Sequence, residues 1–409
     1  MSHHHADGSL TPVEDYLEVI RSAIRPLAPS VLELADAEDR VLAEDVTAAV
    51  SLPPFDNSSM DGYAVLAADT LHASQRSPVT LPVTAEIAAG DVGAYRLLPG
   101  TAVKIMTGAR LPAGADAIVP VEWTDGGDAR VTISRPADAG NAIRYAGGDA
   151  RAGDVLLSGA VRMKPMQIAV AASAGRRAVS VRPRPRVVVL STGDELSEPG
   201  TPLVPGQIWD SNSYMIAAAA REAGAVAYRR AVVPDNVSGV LPAISEQLIH
   251  ADLVITTGGV SMGGSHDVVK AALAELGTVT FRKVAMQPGM PQGFGAVGAD
   301  SVPIFTLPGN PVSAYVSFQL FVRPALGFLQ GLDDLRLPVV RATLTSDVRS
   351  SAGRRSYLRG VLTEGKAEPL SGQQSHQVAS LGKANALIIV PERETRLPAG
   401  DTVDVVVLP

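Results

Sequence analysis

The sequence contains no cysteine, and this absence excludes three kinds of site. A chain without thiols forms no disulfide bond, holds no cysteine-ligated zinc and offers no cysteine nucleophile. Proteins of reducing compartments rarely carry disulfides. The sequence therefore fits a protein that works in a reducing compartment.

Long apolar runs and an excess of basic residues are missing as well. No uninterrupted apolar stretch approaches the length of a membrane span, and no signal peptide is apparent, so we expect a cytoplasmic protein without a membrane span. The net charge of −7 argues against nucleic-acid binding but leaves room for a local basic pocket. With 46% apolar and 19% charged residues, the 409 residues suit a globular chain of two to four domains.

One common phosphate-binding fingerprint is absent from the stretch between residues 186 and 328. It has no Gly-Lys-Ser/Thr, which excludes a Walker loop. It does contain alternating strand and helix patterns, which predict a parallel sheet. Of the five predicted strands, the first begins at residue 186, the second ends at 233, the third begins at 253, the fourth ends at 284 and the fifth covers 304–306. Of the four predicted helices, the first covers residues 213–223, the second ends at 249, the third covers 267–276 and the fourth begins at 311.

Three loops at the ends of these predicted strands are candidates for binding a ligand. They are residues 192–195, 257–263 and 308–311. Their glycines allow backbone N–H groups to converge on an anion, and parallel sheets bind ligands at the carboxyl ends of their strands. Asn310 is placed to cap the last helix, with Pro311 at its first position.

Four carboxylates follow predicted strand ends and could hold a cation. They are Asp194, Glu195, Asp235 and Asp267. Carboxylate oxygens suit Mg²⁺, which usually binds together with phosphate. The alternative for Asp235 and Asp267 is that they only cap helices.

Outside this stretch, the sequence predicts helices and strands whose main role is core packing, and one unusual loop. Residues 51–65 contain Pro-Pro, Asp-Asn-Ser and Asp-Gly turn signals, which composition alone assigns to a structured loop. An amphipathic helix is predicted at 11–24, a β module at 79–131, a second helical pattern at 160–174, and a small β domain after 329. We expect Arg354 and Arg355 to be solvated surface residues. The His-His-His at 3–5 is either a tag or a natural tail, and we exclude it from the fold.

Several motifs resemble the MoeA/gephyrin family of molybdenum cofactor biosynthesis proteins. The matching stretches are Pro53-Pro-Phe-Asp-Asn-Ser-Ser-Met-Asp-Gly-Tyr-Ala64, Ser191-Thr-Gly-Asp-Glu195, Gly258-Gly-Val-Ser-Met-Gly263 and Leu307-Pro-Gly-Asn-Pro-Val-Ser-Ala314. The resemblance covers about residues 11–408. It implies a MogA-like, molybdopterin-binding three-layer α/β domain (184–330), an inserted β-rich domain (51–149), and a C-terminal β-barrel-like domain (331–409). It also implies a discontinuous dimerisation domain (8–50 with 150–183) and an elongated homodimer whose cleft combines the central domain of one subunit with the Pro53 motif of the other.

The same resemblance implies a molybdopterin molybdenumtransferase. Such an enzyme inserts molybdate into adenylylated molybdopterin and releases AMP with the help of Mg²⁺. The implied catalytic residues are Asp61, Thr107, Glu195, Lys283 and Arg359. The implied substrate-binding residues are Arg144, Asp149, Thr192, Gly193, Asp194, Gly258, Gly259, Ser261, Pro308, Gly309, Asn310 and Pro311. The implied metal ligands are Asp194, Glu195, Asp235 and Asp267.

Two departures from the family pattern keep a second hypothesis open. Family members often read Lys-Pro-Gly-Lys-Pro where this chain has Gln287-Pro-Gly-Met-Pro291, and the loop 263–267 is one residue longer than usual. Fewer cations weaken an oxyanion pocket. The alternative is therefore a gephyrin-like scaffold with reduced catalysis that binds a receptor tail or a tubulin-class cytoskeletal protein. Other molybdenum-cofactor proteins are further candidate partners.

Overall fold

The computed structural model describes residues 10–230, 232–233, 237–258, 273 and 276–409, which fall into two compact units. The first unit contains the described residues of 1–30, 39–43 and 181–409, and the second contains 31–38 and 44–180. The four domain boundaries given above stay a prediction. The histidine run at 3–5 and the loop 263–267 lie outside the described residues.

The helices agree closely with the sequence pattern where the structure describes them. Helix α1 buries Val13 and Ile20 on one face, as its spacing predicts, together with Tyr16. The predicted helix 267–276 lies almost entirely outside the described residues. The α-helices are α1 Val13–Ala23, α2 Ala67–Thr70, α3 Pro165–Ser173, α4 Asn212–Glu222, α5 Val237–Ser245, α6 Pro311–Ser317 and α7 Arg323–Leu329.

The second unit is built around a five-stranded sheet, which confirms the predicted β module. Its order is β8-β5-β7-β6-β9, and Tyr63, Val119 and Ile133 are fully buried in its core. The strands up to the end of this region are β1 Ser30–Glu33, β2 Val41–Leu42, β3 Val46–Thr47, β4 Asn57–Ser58, β5 Gly62–Val65, β6 Val79–Ile87, β7 Ala102–Ile105, β8 Ala117–Pro120, β9 Arg130–Ile133, β10 Ile143–Arg144, β11 Val155–Leu157 and β12 Ala178–Arg182.

The first unit contains a six-stranded sheet of order β16-β13-β17-β21-β20-β18. The four strands β16, β13, β17 and β21 are parallel, as predicted, but β20 runs antiparallel to both of its neighbours, β21 and β18, so the expectation of a parallel sheet is wrong at β20. The short connections around β20 explain the difference, because only antiparallel neighbours can be joined by tight turns. This region comprises β13 Arg186–Ser191, β14 Leu196–Ser197, β15 Ile208–Trp209, β16 Val226–Arg229, β17 Leu253–Thr257, β18 Gly277–Lys283, β19 Met286–Gln287, β20 Pro291–Val297 and β21 Val302–Leu307.

Helices cover both faces of this sheet, which gives the predicted three layers. Val187 and Val189 of β13 pack with residues of α1, α4 and α6, whereas Val188 and Leu190 pack with residues of α5. A strand buried on both faces must be apolar at every position, and this is why β13 reads as a continuous aliphatic run.

The helical stretch Pro311–Leu329 is long and apolar enough, by length and composition, to cross a membrane. However, 83% of it is buried inside the protein, and Phe318, Phe321 and Leu326 are fully enclosed. It comprises α6, a π-helical turn at Phe318–Val322, and α7. The stretch is therefore the core helix of the first unit, packed against the parallel strands.

The C-terminal strands build the predicted β-barrel-like domain. They are β22 Val339–Leu344, β23 Val348–Arg349, β24 Arg355–Thr363, β25 Lys366–Pro369, β26 Ala386–Val390, β27 Arg396–Leu397 and β28 Thr402–Val407. The order in the barrel is β19-β24-β25-β22-β28-β26, and an additional β24–β26 pairing closes it, whereas β23 and β27 form a separate two-stranded sheet. Because β19 pairs with β24, the segment that follows β18 is tied to the barrel.

Candidate functional site

A cleft of 1210 Å³ lies within the first unit, where the parallel strands β13, β17 and β21 end. Its lining combines the strand-end loops of the sheet with a loop of the barrel. The lining residues are Thr192, Gly193, Glu195, Leu196, Ile208–Asn212, Thr257, Gly258, Met286–Pro291, Pro308–Pro311, Ser313, Arg354, Gln373–His376 and Val378. Many predicted site residues meet here: Thr192, Gly193, Glu195, Gly258, Pro308, Gly309, Asn310 and Pro311. Gly259, Ser261, Asp235 and Asp267 lie outside the described residues.

Glycine is required where two of these loops approach each other. Gly258 has a φ of +97°, and a Cβ at this position would lie 2.5 Å from the carbonyl oxygen of Thr192. The Gly258 N–H donates to the carbonyl of Leu307 at 3.2 Å, so the end of β17 is clasped between the ends of β13 and β21. Gly258 is therefore needed for the packing of the site as well as for ligand access.

Two polar atoms beside the cleft have no hydrogen-bond partner among the described residues. They are Oγ1 of Thr192 and Oδ1 of Asn212, and both are buried. Such orphaned groups are unusual, because an unsatisfied buried polar atom costs about 1–3 kcal/mol. Orphaned polar atoms at a cleft are the pattern expected of a binding site that awaits a polar ligand.

A buried polar network centred on Asp210 supports the sheet side of the cleft. Asp210 is 1% exposed and accepts hydrogen bonds from the hydroxyl of Ser191 at 2.9 Å and from the N–H and hydroxyl of Ser213. Arg229 lies 3.7 Å from the same carboxylate and donates to Glu198 at 2.7 Å, which holds the pKa of Glu198 below its usual range. Sequence reasoning missed this network, although Ser191 and Arg229 are the last residues of β13 and β16.

The two predicted metal ligands that the structure describes are neighbours at the end of β13. Asp194 and Glu195 are both exposed, and a Cβ on Gly193 would lie 2.6 Å from Oε2 of Glu195, so this carboxylate folds back over the glycine. Among the described residues no group of three or more His, Cys, Asp or Glu could hold a metal. Mg²⁺ commonly binds through one or two carboxylates, with water and substrate phosphate completing its shell. The donor set therefore fits Mg²⁺ bound together with a phosphate-bearing substrate.

Arg359 is enclosed by the barrel instead of facing the cleft. The side chain is 0% exposed, and burial lowers the pKa of its guanidinium. Its two Nη atoms donate to the carbonyls of Gly372 at 2.5 Å, of Gln374 at 3.2 and 3.3 Å, and of Gln377 at 3.4 Å. The side chain thereby fixes the loop 372–377, four residues of which line the cleft. Its predicted catalytic role remains a prediction.

Arg354 is the positively charged side chain that the cleft does contain. It is half-buried, lines the cleft, and has no ion pair or hydrogen bond with any described residue. The expectation of a solvated surface residue is wrong for its neighbour Arg355, which forms ion pairs with Glu14 and with Glu392, the latter at 2.8 Å.

The segment Gln287-Pro-Gly-Met-Pro291 lies in the cleft lining, although both family lysines are absent. Its backbone is well fixed: buried Gln292 donates through Nε2 to the carbonyl of Gly289 at 2.5 Å and to the hydroxyl of Ser317 at 2.6 Å. Met290 is half-buried and accepts the N–H of Val284 through its carbonyl. Lys283 is exposed at the end of β18 and is not among the lining residues of the cleft.

The remaining predicted residues belong to the second unit, where Asp61 and Thr107 form a pair. The N–H and the hydroxyl of Thr107 both donate to Oδ1 of Asp61 at 2.7 Å, and these bonds hold the pKa of Asp61 below its usual range. Arg144 and Asp149 are both exposed. Arg144 pairs with Asn57 of the Pro53 motif, and Asp149 precedes Ala150, which pairs with Leu52. The Asp61 carboxylate is therefore ionised, exposed and oriented.

Three family models match successive parts of the chain. Residues 11–175 match the MoeA N-terminal region (domain I and II), residues 188–327 a probable molybdopterin binding domain, and residues 341–408 the MoeA C-terminal region (domain IV). The order of the matches agrees with the predicted resemblance along nearly the whole chain.

Full-length relatives and solved structures agree with these matches. Molybdopterin molybdenumtransferase 2 of Mycobacterium tuberculosis is 44% identical, with 96% of this chain and 98% of the relative covered. Molybdopterin molybdenumtransferase of Bacillus subtilis is 38% identical, with 92% and 89% covered. A crystal structure of a molybdopterin biosynthesis MoeA protein from Pyrococcus horikoshii aligns with a TM-score of 0.84 at 32% identity, covering 98% of this chain and 99% of that one, and another with 0.83 at 28%. The chain therefore belongs to the molybdopterin molybdenumtransferase (MoeA) family of molybdenum cofactor biosynthesis.

Proposed function

We propose that this enzyme inserts molybdate into adenylylated molybdopterin, with Mg²⁺-assisted release of AMP. The observation that carries the proposal is the cleft at the carboxyl ends of the parallel strands, with Arg354 in its wall. Strand-end loops suit the phosphates of the substrate, and Arg354 supplies a permanent positive charge for the molybdate dianion. Gln287 can donate a further hydrogen bond, whereas Met290 cannot.

Asp194 and Glu195 are the described residues that would hold Mg²⁺. The ion would supply charge neutralisation at the phosphoanhydride of the substrate, which favours departure of AMP. The chain itself contributes the position of the carboxylates: the loop after β13 is short, and Glu195 lies folded over Gly193. Thr192 and Asn212 offer their unpartnered polar atoms to the bound substrate.

Asp61 contributes to the insertion step in this proposal. Two hydrogen bonds from Thr107 hold the Asp61 carboxylate in one orientation, and a carboxylate that acts on a substrate needs such a fixed position. Lys283, Arg144 and Asp149 are further candidate contacts for the substrate. The catalytic roles of these residues come from the family resemblance.

We also propose that the enzyme acts as a homodimer in the cytoplasm. The hydrodynamic mass should then be twice 42.4 kDa at micromolar concentration. The gephyrin-like scaffold, with a receptor tail or a cytoskeletal protein as partner, gains no support, because the relatives reported above are named as transferases.

The proposal is tested by cofactor reconstitution on an apo-molybdoenzyme with adenylylated molybdopterin, molybdate and Mg²⁺. Wild-type protein should restore activity, and Asp61→Asn should abolish insertion while the melting temperature stays unchanged, since the substitution keeps size and turn geometry. Asp91→Asn is the matched control, because Asp91 is likewise exposed and accepts an N–H from Gly93 and a hydroxyl from Tyr95. Absence of insertion by the folded wild-type protein would contradict the proposed function. Equal loss in both variants would show that Asp61 has only a structural role.

A further inference from the structure

We propose that Trp209 forms a stacking ledge in the cleft that binds one planar, amino-bearing heteroaromatic ring of the substrate. This inference rests on the proposed function, because adenylylated molybdopterin carries two such rings, the pterin and the adenine. Trp209 lines the cleft, and the polar groups discussed so far account only for the anionic parts of the substrate.

The ledge is exposed although it is apolar. Trp209 is 52% exposed, and the same segment also exposes Ile208 (56%), Leu203 (39%) and Val204 (57%). Single exposed apolar residues are common on proteins, but four in one segment, two of which line a polar cleft, mark a binding surface. The aromatic member is the one suited to a flat ring.

The indole ring is held in place before any ligand arrives. Its Nε1–H donates to the carbonyl of Thr201 at 2.9 Å, and the N–H of Thr201 in turn donates to the carbonyl of Glu198. The Glu198 carboxylate is fixed by two hydrogen bonds from Arg229, at 2.7 and 2.9 Å. A ring that is already fixed loses little conformational freedom on stacking, which favours binding.

A buried acceptor lies three residues beyond the ledge. Asn212, the first residue of α4, donates through Nδ2 to the carbonyl of Gly309 at 2.6 Å, and this contact fixes which way the amide points. Its Oδ1 is therefore the atom left without a partner. Adenine and pterin both carry an exocyclic amino group that can donate to such an acceptor. An aromatic surface next to one oriented polar group is the usual composition of a site for a small ring.

Calorimetric titration of Trp209→Ala with AMP and with pterin-6-carboxylate tests the ledge. Removal of the indole should weaken binding of the ring compound by about 5- to 150-fold, the range that stacking of one base on an aromatic side chain covers. Trp209→Phe should recover most of the affinity. Ribose 5-phosphate, which has no ring system to stack, should bind wild type and Trp209→Ala equally.

The two rings are distinguished by which probe depends on Trp209. If Trp209→Ala weakens the binding of AMP alone, the ledge binds the adenine. If it weakens the binding of pterin-6-carboxylate alone, the ledge binds the pterin, and if it weakens both, the ledge is a general ring site. Unchanged affinities in Trp209→Ala, or no ring binding by wild type at millimolar concentration, would overturn the proposal. A loss shared with ribose 5-phosphate would overturn it too, because it would indicate general damage to the cleft.

Fluorescence gives a second measurement, because the chain has only two tryptophans. In a Trp123→Phe background the remaining emission comes from Trp209, and AMP should quench it if the ring stacks there. If the wild-type protein inserts molybdate but ring binding does not depend on Trp209, only the ledge is contradicted. If ring binding depends on Trp209 but the protein inserts no molybdate, only the proposed function is contradicted.

Discussion

The two walls of the cleft are held together in different ways. The sheet wall, formed by the loops 192–195, 257–258 and 308–311 with Asp210 beneath them, is fixed by many short contacts between neighbouring strands. The barrel wall, formed by Arg354 and the loop 372–378, depends more on side chains and chiefly on Arg359, which donates to three carbonyls of that loop. The walls meet where Nδ2 of Asn310 donates to the hydroxyl of Ser375 at 3.1 Å.

The comparison shows where tolerance to mutation should lie. A wall fixed by strand pairing is stabilised by many groups, whereas a loop held chiefly by one buried guanidinium should loosen when that group is removed. The comparison also separates two arginines that are only five positions apart on the barrel: Arg354 faces the cleft, and Arg359 holds the wall. Substitutions of each should therefore have opposite signatures in stability and in ligand binding.

The largest effect is expected for Arg359→Ala. Five donor groups of a buried guanidinium are lost and several carbonyls are left unsatisfied, so the free energy of unfolding should fall by about 3–5 kcal/mol. Denaturant unfolding monitored by circular dichroism measures this, and limited proteolysis should show faster cleavage within residues 372–378. Arg359→Lys should fall in between, because an ammonium cannot reproduce the planar fork. If Arg359→Ala unfolds at the same denaturant concentration as wild type and its loop 372–378 resists proteolysis equally, Arg359 is not the main support of the barrel wall.

A smaller loss is expected for Asp210→Ala on the sheet wall. The substitution removes the acceptor that caps α4 and leaves the hydroxyls of Ser191 and Ser213 with fewer partners, so we expect about 2–3 kcal/mol of destabilisation. Asp210→Asn should cost less, since one oxygen still accepts the N–H of Ser213. Resistance of the 372–378 loop to proteolysis should be unchanged in both variants. Cleavage of that loop in Asp210→Ala would mean that the two walls are not independently supported.

The smallest effect on stability, and a clear effect on binding, is expected for Arg354→Ala. Because its guanidinium has no hydrogen bond or ion pair with another described residue, the free energy of unfolding should change by less than about 0.5 kcal/mol. A charge-assisted hydrogen bond contributes roughly 1.5–3 kcal/mol, so the KM for molybdate should rise about ten- to a hundred-fold. Insertion rates at several molybdate concentrations give this value.

Met290→Lys is the opposite change to Arg354→Ala, because it adds a positive charge to the cleft instead of removing one. The backbone around Met290 is held by Gln292 and Gly289, so a lysine can place its ammonium in the cleft without moving the loop. We expect tighter molybdate binding in the wild-type background and partial rescue in Arg354→Ala. Insensitivity of the molybdate KM to both substitutions would place the anion elsewhere.

The predictions from sequence were most accurate where local patterns carry the structure. The helix α1, the strand β13 and the strand-end loops were all located from periodicity and glycine placement, because each depends on residues close together in the chain. The strand β20 was missed, since Gly293 and Gly295 dilute its apolar pattern, and its glycines make sense only beside the neighbouring strands: a Cβ at Gly295 would collide with the carbonyl of Thr278.

The sequence by itself determined the family, the layered α/β unit, the barrel and the set of loops at the strand ends, because these follow from short motifs and from periodicity. Only the tertiary structure decided what each charged side chain does. Arg354 and Arg359 have the same chemistry, but Arg354 lies in the bend before β24, where it lines the cleft, and Arg359 lies within β24, where closure of the barrel encloses it. The role of Asp210 likewise arises only when β13, β15 and α4 bring Ser191, Asp210 and Ser213 together. A charge acts through its surroundings, and those surroundings come from residues far away in the chain.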